Sequence, residues 1–455
     1  MGKTIRLRKG FDINLAGKPA PQIAPGQPAE SGDTFTIKPT DFHGLYLPKV
    51  LVKEGDAVKA GTPLFHDKRN DKILFTAPVS GEVVEIKRGD KRKLLEIKIL
   101  ADTRNEYVQF KKYSSGDIAG ISREQAQEQI LLSGAWPNII QRPFGILADP
   151  SETPKSVFIS AFDTHPLAPD YSVIFKGQEQ AFQAGVDILK KFTSGKVHVN
   201  VPADKPSLFS AVQGVEVNKF GGPHPAGNVG VQIHHVDPIG KADLVWTVNP
   251  FGVIQIGKLF LNGVYDASRI IAVAGSELKT PQYFSTYTGA SVKRFLANNL
   301  RQENVRVISG NVLTGTRISK DGHVGFFDNV VSVIPEGDQY EFMGWIAPSA
   351  KKLSAGRAFG LFSFLNYGKE YKLDSNMHGE PRAFVQTGNF ERVVPMDLLP
   401  THLLKAILAE DYDDMEALGI YEVIEEDLAL CEFVDVSKHN VQDILREGID
   451  LMLNS

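Results

Sequence analysis

Cysteine is nearly absent from this chain of 455 residues, whose single thiol is Cys431. An iron–sulfur cluster is held by several cysteine thiolates, and structural zinc sites of the common kind use two to four. One cysteine in one chain cannot supply such a set, and it cannot form an internal disulfide either. The scarcity of cysteine therefore excludes the commonest metal-cluster chemistries at the outset.

Long apolar runs are also missing. A helix that spans a membrane needs about 20 mostly apolar residues, and the most apolar region of the chain, residues 244–274, is repeatedly interrupted. The interruptions are Asn249, Pro250, Lys258, Asn262, Asp266 and Arg269. The N-terminus is basic, but no apolar segment typical of a secretory leader follows it. We expect a cytoplasmic location and no transmembrane helix.

Neither sign of charge is in excess. The chain has 50 basic and 54 acidic residues, which gives a formal net charge of −4. Such a balance creates no strong field for nucleic acid, so no nucleic-acid partner is expected. At about 100–200 residues per domain, the length predicts three or four compact units.

The periodicity of the sequence changes several times along the chain, which predicts a multidomain α/β and α+β protein. Short β-type runs with Gly and Pro turns fill residues 45–100, whereas strands and helices alternate after residue 115. The predicted units are an extended N-terminal segment 1–40, a β-rich unit 41–105, an α/β domain 106–262, a smaller α+β domain 263–335 and a C-terminal domain 336–455 ending in helices.

Local patterns predict individual elements. Ser122 and Gln125 form a capping-box pattern that begins a helix, and Gly134 is placed to end it. A second helix is predicted over residues 177–192, and a third over Ser291–Leu300. Ser437 is a candidate cap for the last helix. The predicted strands are Ser156–Ser160, Lys196–Val201, Ala242–Val248, Ile270–Ala274 and Val305–Ile308.

The β-rich unit resembles the lipoyl/biotinyl barrel-sandwich fold. The resemblance rests on Val52-Lys-Glu-Gly-Asp-Ala-Val-Lys-Ala-Gly-Thr-Pro-Leu64 and on Ala77-Pro-Val-Ser-Gly-Glu-Val83. In those carriers a lysine at a hairpin tip is acylated, and here Lys68 and Lys72 lie in the corresponding hairpin, Phe65–Phe75. The Met-Lys-Met of biotin carriers is absent. We therefore favour a hairpin with solvated charges over a swinging-arm carrier.

The α/β domain resembles the flavin-binding subunit of respiratory complex I in the order of its loops, including Ile159-Ser-Ala-Phe-Asp-Thr-His-Pro166. Its two glycine-containing loops, Gly134–Phe144 and Gly221–Gly230, do not contain G-x-G-x-x-G. In the relatives the first loop is rich in glycine and contacts nucleotide, whereas here it holds Trp136, Pro137 and the pair Arg142-Pro143. Bulky side chains, and a proline without an amide donor, do not make a phosphate cradle. We expect neither NADH nor flavin to bind there.

Four histidines are the remaining candidates for chemistry: His224, His234 and His235 lie close together in sequence, and the expected fold places His165 near them. No H-E-x-x-H pattern or cysteine pair accompanies them, so ordinary polar or core histidines are favoured over metal ligands. No G-x-S-x-G nucleophile pattern is present. The sequence therefore assigns no catalytic, cofactor-binding or metal-binding residue.

The last two units carry further resemblances. Arg269–Gly275, Tyr287–Val292 and Val307–Gly310 are similar to a soluble-ligand-binding (SLBB) β-grasp domain. The tail, with Val394-Pro-Met-Asp-Leu-Leu-Pro400, is similar to a helical ferredoxin that has lost its clusters. Aligned on two Cys-x-x-Cys-x-x-Cys-x-x-x-Cys-Pro runs, the eight ligand positions hold Phe384, Thr387, Phe390, Val394, Glu425, Leu428, Cys431 and Asp435. Only one of these residues is a thiol, so neither cluster can form.

In the order of these units the chain resembles the NqrA subunits of the sodium-translocating NADH:quinone oxidoreductases (Na+-NQR), a family related to RnfC and to the complex I flavin subunit. The resemblance implies a peripheral protein on the cytoplasmic face of the bacterial inner membrane. It further implies five partner subunits, NqrB to NqrF, with the membrane protein NqrB nearest, and a complex that reduces ubiquinone while exporting sodium.

The cofactors of such a complex are FAD, FMN, riboflavin, iron–sulfur and ubiquinone, none of which we expect this chain to bind. The alternatives are a lipoyl- or biotin-type carrier and an NADH-binding flavoprotein subunit. The sequence leaves open the quinone-contacting residues, the contact made by the basic N-terminal segment, and the roles of Cys431 and the four histidines.

Overall fold

The computed structural model describes residues 2–30, 32–339, 341–342, 352–353, 355, 369–385 and 388–454. The position of Thr387, one of the eight predicted ligand positions, lies outside these residues. Within the described ranges no helix is long and apolar enough to cross a membrane. Four β-sheets and eleven α-helices organise this part of the chain.

Two small antiparallel sheets face each other in the β-rich unit. The first has the order β2-β8-β7-β4 and the second the order β3-β5-β6. The strands are β2 Thr34–Ile37, β3 Pro48–Val50, β4 Ala57–Val58, β5 Pro63–Asp67, β6 Leu74–Thr76, β7 Gly81–Arg88 and β8 Leu94–Ala101. The buried aromatic rings of Phe65 on β5 and Phe75 on β6 stack across neighbouring strands of the second sheet, with ring centroids 4.6 Å apart. Alternation of inward and outward residues along these strands produces the single buried face.

A seven-stranded sheet forms the α/β domain, in the order β1-β13-β12-β11-β14-β9-β10. Its strands are β1 Thr4–Arg6, β9 Ile139–Arg142, β10 Ile146–Leu147, β11 Ser156–Ser160, β12 Lys196–Pro202, β13 Glu216–Gly221 and β14 Val245–Val248. The first five strands in that order run parallel, β9 runs antiparallel to β14, and β10 pairs antiparallel with β9. The central strand β11 is a nearly continuous apolar run, as expected for a parallel strand covered on both faces.

Five helices belong to this domain: α1 Arg123–Ser133, α2 Tyr171–Ile174, α3 Glu179–Leu189, α4 Val229–Val236 and α5 Pro250–Asn262. Helices α3 and α5 cross very closely, because a Cβ at Gly257 would lie 1.8 Å from the carbonyl oxygen of Ala181. Glycine is therefore required at this crossing. The predicted capping box of Ser122 and Gln125 is confirmed, and α1 ends at Gly134 with φ of 78°.

A five-stranded sheet, in the order β16-β15-β19-β17-β18, follows in the chain. Its elements are β15 Ser268–Ala274, β16 Gln282–Tyr287, α6 Lys293–Leu296, β17 Val305–Ser309, β18 Thr316–Ile318 and β19 Val330–Pro335. The β-rich unit docks firmly on this sheet. Lys38 donates to the carbonyl of His323 at 2.7 Å, and Phe42 packs against Phe326 with ring centroids 4.8 Å apart.

The C-terminal helices are α7 Phe390–Val393, α8 Pro400–Leu408, α9 Tyr412–Ala417, α10 Glu425–Val434 and α11 Val441–Asn454. Helices α8, α10 and α11 pack on one another through buried leucine and isoleucine side chains, among them Leu404, Leu428 and Leu445. The apolar residues recur at helical spacing on each helix, which is the pattern that buries one face against neighbours.

Two helix predictions are wrong in their extent. The helix predicted over Ser291–Leu300 has only one turn, α6, because the chain reverses at Asn298, which adopts a positive φ of 56°. The last helix begins at Val441, and Ser437 does not cap it. The hydroxyl of Ser437 instead donates to the carbonyl of Ala383 at 3.2 Å.

The N-terminal segment is extended, but it does more than lead into the first domain. Residues 4–6 form β1, which pairs with β13 of the α/β sheet. Farther along, Phe11 stacks on Phe433 of α10, and the carbonyl of Gly17 accepts from the amide of Gly275. Residues 34–37, predicted to belong to this segment, pair with β8 instead. The segment thus ties three units together.

Candidate functional site

The place to look for a ligand in an open α/β sheet is the edge formed by the carboxyl ends of the strands, where the strand order reverses. Here the chain runs from β11 to β12 and β13, and then returns to β14 on the other side of β11. The reversal therefore lies between β11 and β14. The loop that follows β11 and the beginning of α4 meet at this edge, since a Cβ at Gly227 would lie 2.8 Å from the amide nitrogen of Thr164.

A buried histidine pair occupies this edge. Nε2 of His165 lies 3.0 Å from Oδ2 of Asp163, and its Nδ1 lies 3.0 Å from the carbonyl oxygen of Pro166. Burial alone would lower the pKa of His165, but the Asp163 carboxylate outweighs burial and raises it. The side chain of Thr164 contacts Nδ1 of His224 at 3.0 Å, and burial lowers the pKa of His224 to about 4. Asp163 and His165 thus form an ion pair, beside a neutral His224.

The beginning of α4 is covered by the C-terminal helix α10. The side-chain amide of Asn228 donates to the carbonyl of Glu426 at 2.8 Å. A Cβ at Gly230 would lie 2.3 Å from Oδ2 of Asp427, so the Asp427 carboxylate touches the first turn of α4. A helix N-terminus attracts anions, and phosphate groups of nucleotides often bind there. In this chain the Asp427 carboxylate lies beside that first turn, where its Oδ2 accepts from Arg142 and from the backbone amide of Ile424.

Arg142 holds the covering helix in place. Its guanidinium donates to Asp427 at 3.0 Å and to Glu426 at 2.9 Å. The side chains of Arg142 and Asp427 are 2% and 0% exposed, so the ion pair is completely desolvated. Partial burial, together with the Asp427 charge, raises the pKa of Glu426, whose side chain is 38% exposed. An ion-pair network between β9 and α10 therefore lies beside the beginning of α4.

The two glycine-containing loops are packed against other parts of the protein. Trp136 and Pro137, in the first loop, are completely or almost completely buried between α1 and β9. The indole of Trp136 donates to the carbonyl of Ala148 at 2.8 Å. The second loop connects β13 to α4, and the amide of Leu7 in the N-terminal segment donates to the carbonyl of Gly221. Several amides of the two loops are bonded within the protein, among them those of Gly134, Ala226 and Gly227.

The other two candidate histidines, His234 and His235, lie at the opposite end of α4 from His224. His234 Nδ1 donates to Glu422 at 2.7 Å, while its Nε2 accepts from the amide of Asp397. Nε2 of His235 donates to the carbonyl of Pro395 at 2.8 Å, and burial lowers its pKa. The structure therefore brings His165 and His224 together and separates them from this second pair. Among the residues the structure describes, no group of three or more His, Cys, Asp or Glu side chains is placed to hold a metal ion.

Five of the seven described ferredoxin-type ligand positions are buried in the C-terminal domain, and the other two, Phe384 and Glu425, are half-buried. Cys431 is completely buried in α10, and burial raises the pKa of its thiol well above the usual range. Phe390 and Val394 are core residues beside it in the C-terminal helices. Asp435 accepts from the amide and from Nδ1 of His439. These side chains offer one sulfur in place of eight, so the residues present do not fit an iron–sulfur cluster.

The hairpin that carries Lys68 and Lys72 is exposed at its tip but rigid at its base. The hydroxyl of Thr76 donates to the carbonyl of Ser133 in α1 at 3.0 Å. With the β-rich unit also docked on the five-stranded sheet, the domain cannot swing as a carrier domain does.

Lysine modification is therefore expected to be absent. The double variant Lys68→Arg and Lys72→Arg removes both acylation sites while preserving charge. We expect the intact mass of the native chain to equal that of its sequence. A mass increment that the native chain carries and the double variant loses would establish a carrier.

Sequence reasoning did not identify Glu426, Asp427 or Asp163, and it treated Arg142 only as a bulky loop residue. The signal that could have found them is the presence of Arg142 inside an apolar strand, because a buried arginine requires a carboxylate partner. Nothing in the sequence indicated that the partner lies 285 residues away.

Comparison with known proteins identifies related sequences over nearly the whole chain. Three family models match successive regions: the NqrA N-terminal barrel-sandwich hybrid domain over residues 5–102, the NqrA second alpha/beta domain over residues 121–265 and the NQRA C-terminal domain over residues 270–320. The first match agrees with the two facing sheets described above.

Full-length relatives are similar as well. The NqrA protein of the Na(+)-translocating NADH-quinone reductase from Yersinia pestis bv. Antiqua (strain Angola) is 40% identical over 444 residues, covering 97% of this chain and 98% of that protein. Its counterpart from Neisseria meningitidis serogroup B (strain ATCC BAA-335 / MC58) is 39% identical over 450 residues, covering 98% of each chain. A solved NAD+-reducing [NiFe]-hydrogenase in the H2-reduced state has 9% identity and a TM-score of 0.39, with 74% of this chain and 62% of that chain covered. That score is too low to support an argument about fold.

Proposed function

This chain belongs to the NqrA family of the Na+-translocating NADH-quinone reductases, and from that membership we propose that it is a peripheral, cofactor-free subunit of such an enzyme. The complex transfers electrons from NADH to ubiquinone and exports sodium. Within it, the chain contacts the other five proteins, NqrB to NqrF, with the membrane protein NqrB as its main neighbour. Its place is the cytoplasmic face of the bacterial inner membrane, close to the quinone site.

The observation that supports the absence of a cofactor is the position of Asp427 beside the beginning of α4. The Asp427 carboxylate lies against the first turn of α4, where an anionic nucleotide would bind in a doubly wound fold. Because like charges repel each other, a flavin or nicotinamide phosphate cannot share this position with the carboxylate. The redox cofactors of the complex, which are FAD, FMN, riboflavin and iron–sulfur, then belong to the other proteins of the complex.

We propose that this chain and the redox flavoproteins inherited their fold from a common ancestor. The α/β domain is interpreted as Rossmann-like, and helices α7–α11 as a ferredoxin-like domain without clusters. What supports this interpretation is the position of the replaced residues: Phe390, Val394 and Leu428 fill the interior where sulfur ligands would converge. In this interpretation the chain has the fold of a redox protein but not the residues that bind redox cofactors.

Its contribution is then structural. The domains form one interlocked body, since the N-terminal segment reaches the α/β sheet, α10 and the five-stranded sheet in turn. A rigid body of this kind can hold the neighbouring subunits in fixed positions, so that electrons pass between cofactors at constant distances.

Removal of the chain from the complex tests this proposal. We expect a complex isolated without this chain to keep NADH oxidation by an artificial electron acceptor but to lose most of its ubiquinone reduction. Adding back the purified chain is expected to restore ubiquinone reduction without adding flavin. Full ubiquinone reduction by the depleted complex, or restoration only by a flavin-loaded chain, would contradict the proposal.

A further inference from the structure

An exposed patch at the tip of the β-rich unit combines apolar and basic side chains. Its apolar members are exposed to an unusual degree for their type: Tyr46 by 59%, Leu47 by 44% and Leu51 by 46%. Its cations are Lys49, Lys68, Arg69 and Lys72, all of them exposed. We call these seven residues the tip patch.

The backbone brings the two kinds of residue together. Strand β3 pairs with β5, which places Lys49 opposite His66. The amide of Lys68 donates to the carbonyl of Leu47 at 3.0 Å. The guanidinium carbon of Arg69 lies 3.5 Å from the centre of the Tyr46 ring. The apolar side chains and the cations are therefore parts of one surface.

The four cations of the tip patch outnumber the acids beside them, of which Asp71 is exposed in the same hairpin next to Lys72. Asp67 lies beside them, but it is buried, and its carboxylate accepts from the amides of Tyr46, Leu47 and Arg69. Elsewhere in the β-rich unit, lysines are paired with carboxylates: Lys59 with Glu106, Lys87 with Glu96 and Lys98 with Glu85. Across the part of the chain that the structure describes, no carboxylate lies within 4.0 Å of a tip-patch cation.

We infer that the tip patch docks on an anionic membrane surface, with its cations at the lipid phosphates and Tyr46, Leu47 and Leu51 at the level of the headgroups. Lysine and arginine stems bury along apolar surface while their charges reach polar groups. Tyrosine is enriched at membrane–water interfaces for the same reason. A protein partner fits less well, because lysine is depleted in protein–protein interfaces and three apolar side chains are few for one.

The inference extends the proposed function, since it relies on that function only for placing the chain beside a membrane. The docking surface would fix the β-rich unit relative to the bilayer through the rigid contacts at its base. It adds a second attachment to the complex besides the contact with partner subunits.

Flotation of the full chain with lipid vesicles tests the inference. We expect binding to phosphatidylcholine vesicles that contain phosphatidylglycerol and little binding to pure phosphatidylcholine vesicles. The triple variant Lys49→Gln, Lys68→Gln and Lys72→Gln is expected to bind about fivefold more weakly per lysine, or roughly a hundredfold in all. A matched control, Lys176→Gln, Lys205→Gln and Lys219→Gln, changes the net charge equally on the α/β domain and is expected to bind almost as the unchanged chain does.

A second variant separates insertion from simple charge attraction. Tyr46→Ser with Leu47→Ser and Leu51→Ser keeps every charge, and its binding to the anionic vesicles is expected to fall at least several-fold. The inference is overturned if the unchanged chain does not bind these vesicles, if both lysine variants lose binding equally, or if the serine variant binds normally. Loss of partner-subunit capture by the lysine variant, with vesicle binding intact, would also overturn it and identify an acidic protein segment as the occupant. The vesicle assay contains no partner protein, so its outcome is independent of the proposed function.

Discussion

Replacing Arg142 with methionine is expected to lower the free energy of unfolding by about 3–5 kcal/mol. The variant keeps most of the side-chain volume but leaves the Asp427 carboxylate buried without a cation. Glu426 loses its partner as well. Because these charges lie between the α/β sheet and α10, we expect the C-terminal helices to separate from the sheet first. Urea unfolding followed by tryptophan fluorescence and circular dichroism measures the loss.

The matched control is the exposed ion pair of Arg6 and Asp204, whose side chains are 67% and 56% accessible to solvent. Arg6→Met is expected to cost less than about 1 kcal/mol, since exposed pairs contribute little. Asp427→Asn in the Arg142→Met background removes the unpaired charge and should recover much of the loss. Equal and small effects of Arg142→Met and Arg6→Met would show that the buried network does not hold the domains together.

Trp136→Ala is expected to destabilise the chain by about 3–5 kcal/mol, the range for removing a large buried aromatic side chain. The indole ring is completely buried, and its centroid lies 5.5 Å from that of Trp246 and 5.7 Å from that of Phe192. The substitution leaves a cavity and also an unpaired carbonyl at Ala148. Urea unfolding followed by circular dichroism measures the change without relying on the missing fluorophore.

The conservative variant Trp136→Phe keeps an aromatic ring and loses the indole hydrogen bond, so a loss clearly smaller than that of Trp136→Ala is expected. This comparison bears on function because the resemblance to flavin-binding subunits implies a nucleotide contact at the corresponding loop. A large effect shows that the loop is a part of the core. A loss of less than about 1 kcal/mol in the alanine variant would instead indicate an open loop, and the case against a nucleotide there would weaken.

Elements specified by local patterns could be predicted from the sequence. The capping box at Ser122, the helix α3 and the buried strand β11 each follow from a run of about ten residues or fewer. The helix after Ser291 was overestimated, because helical spacing of apolar residues does not reveal where a tertiary contact reverses the chain. The pairing of β1 with β13 joins segments at distant positions in the chain and left no periodic signal.

In the candidate site, too, the features set by local sequence could be predicted and those set by tertiary contacts could not. The sequence alone excludes a cluster held by cysteines of this chain, since that argument needs only a count of thiols. It placed His165 near His224, which the structure confirms, but it also grouped them with His234 and His235, which lie at the other end of α4. The ion-pair network of Arg142, Glu426 and Asp427 depends on how two domains dock. Such docking is decided by the fit of whole surfaces and leaves no local pattern.

The most direct test of a cofactor-free chain is its visible absorption spectrum after release under mild conditions from the affinity-purified complex and separation from the other subunits. The account predicts that the chain is recovered with the complex and that its spectrum shows only the absorption of its aromatic residues. A yellow chain with flavin absorption, or a brown chain with iron–sulfur absorption, would contradict it.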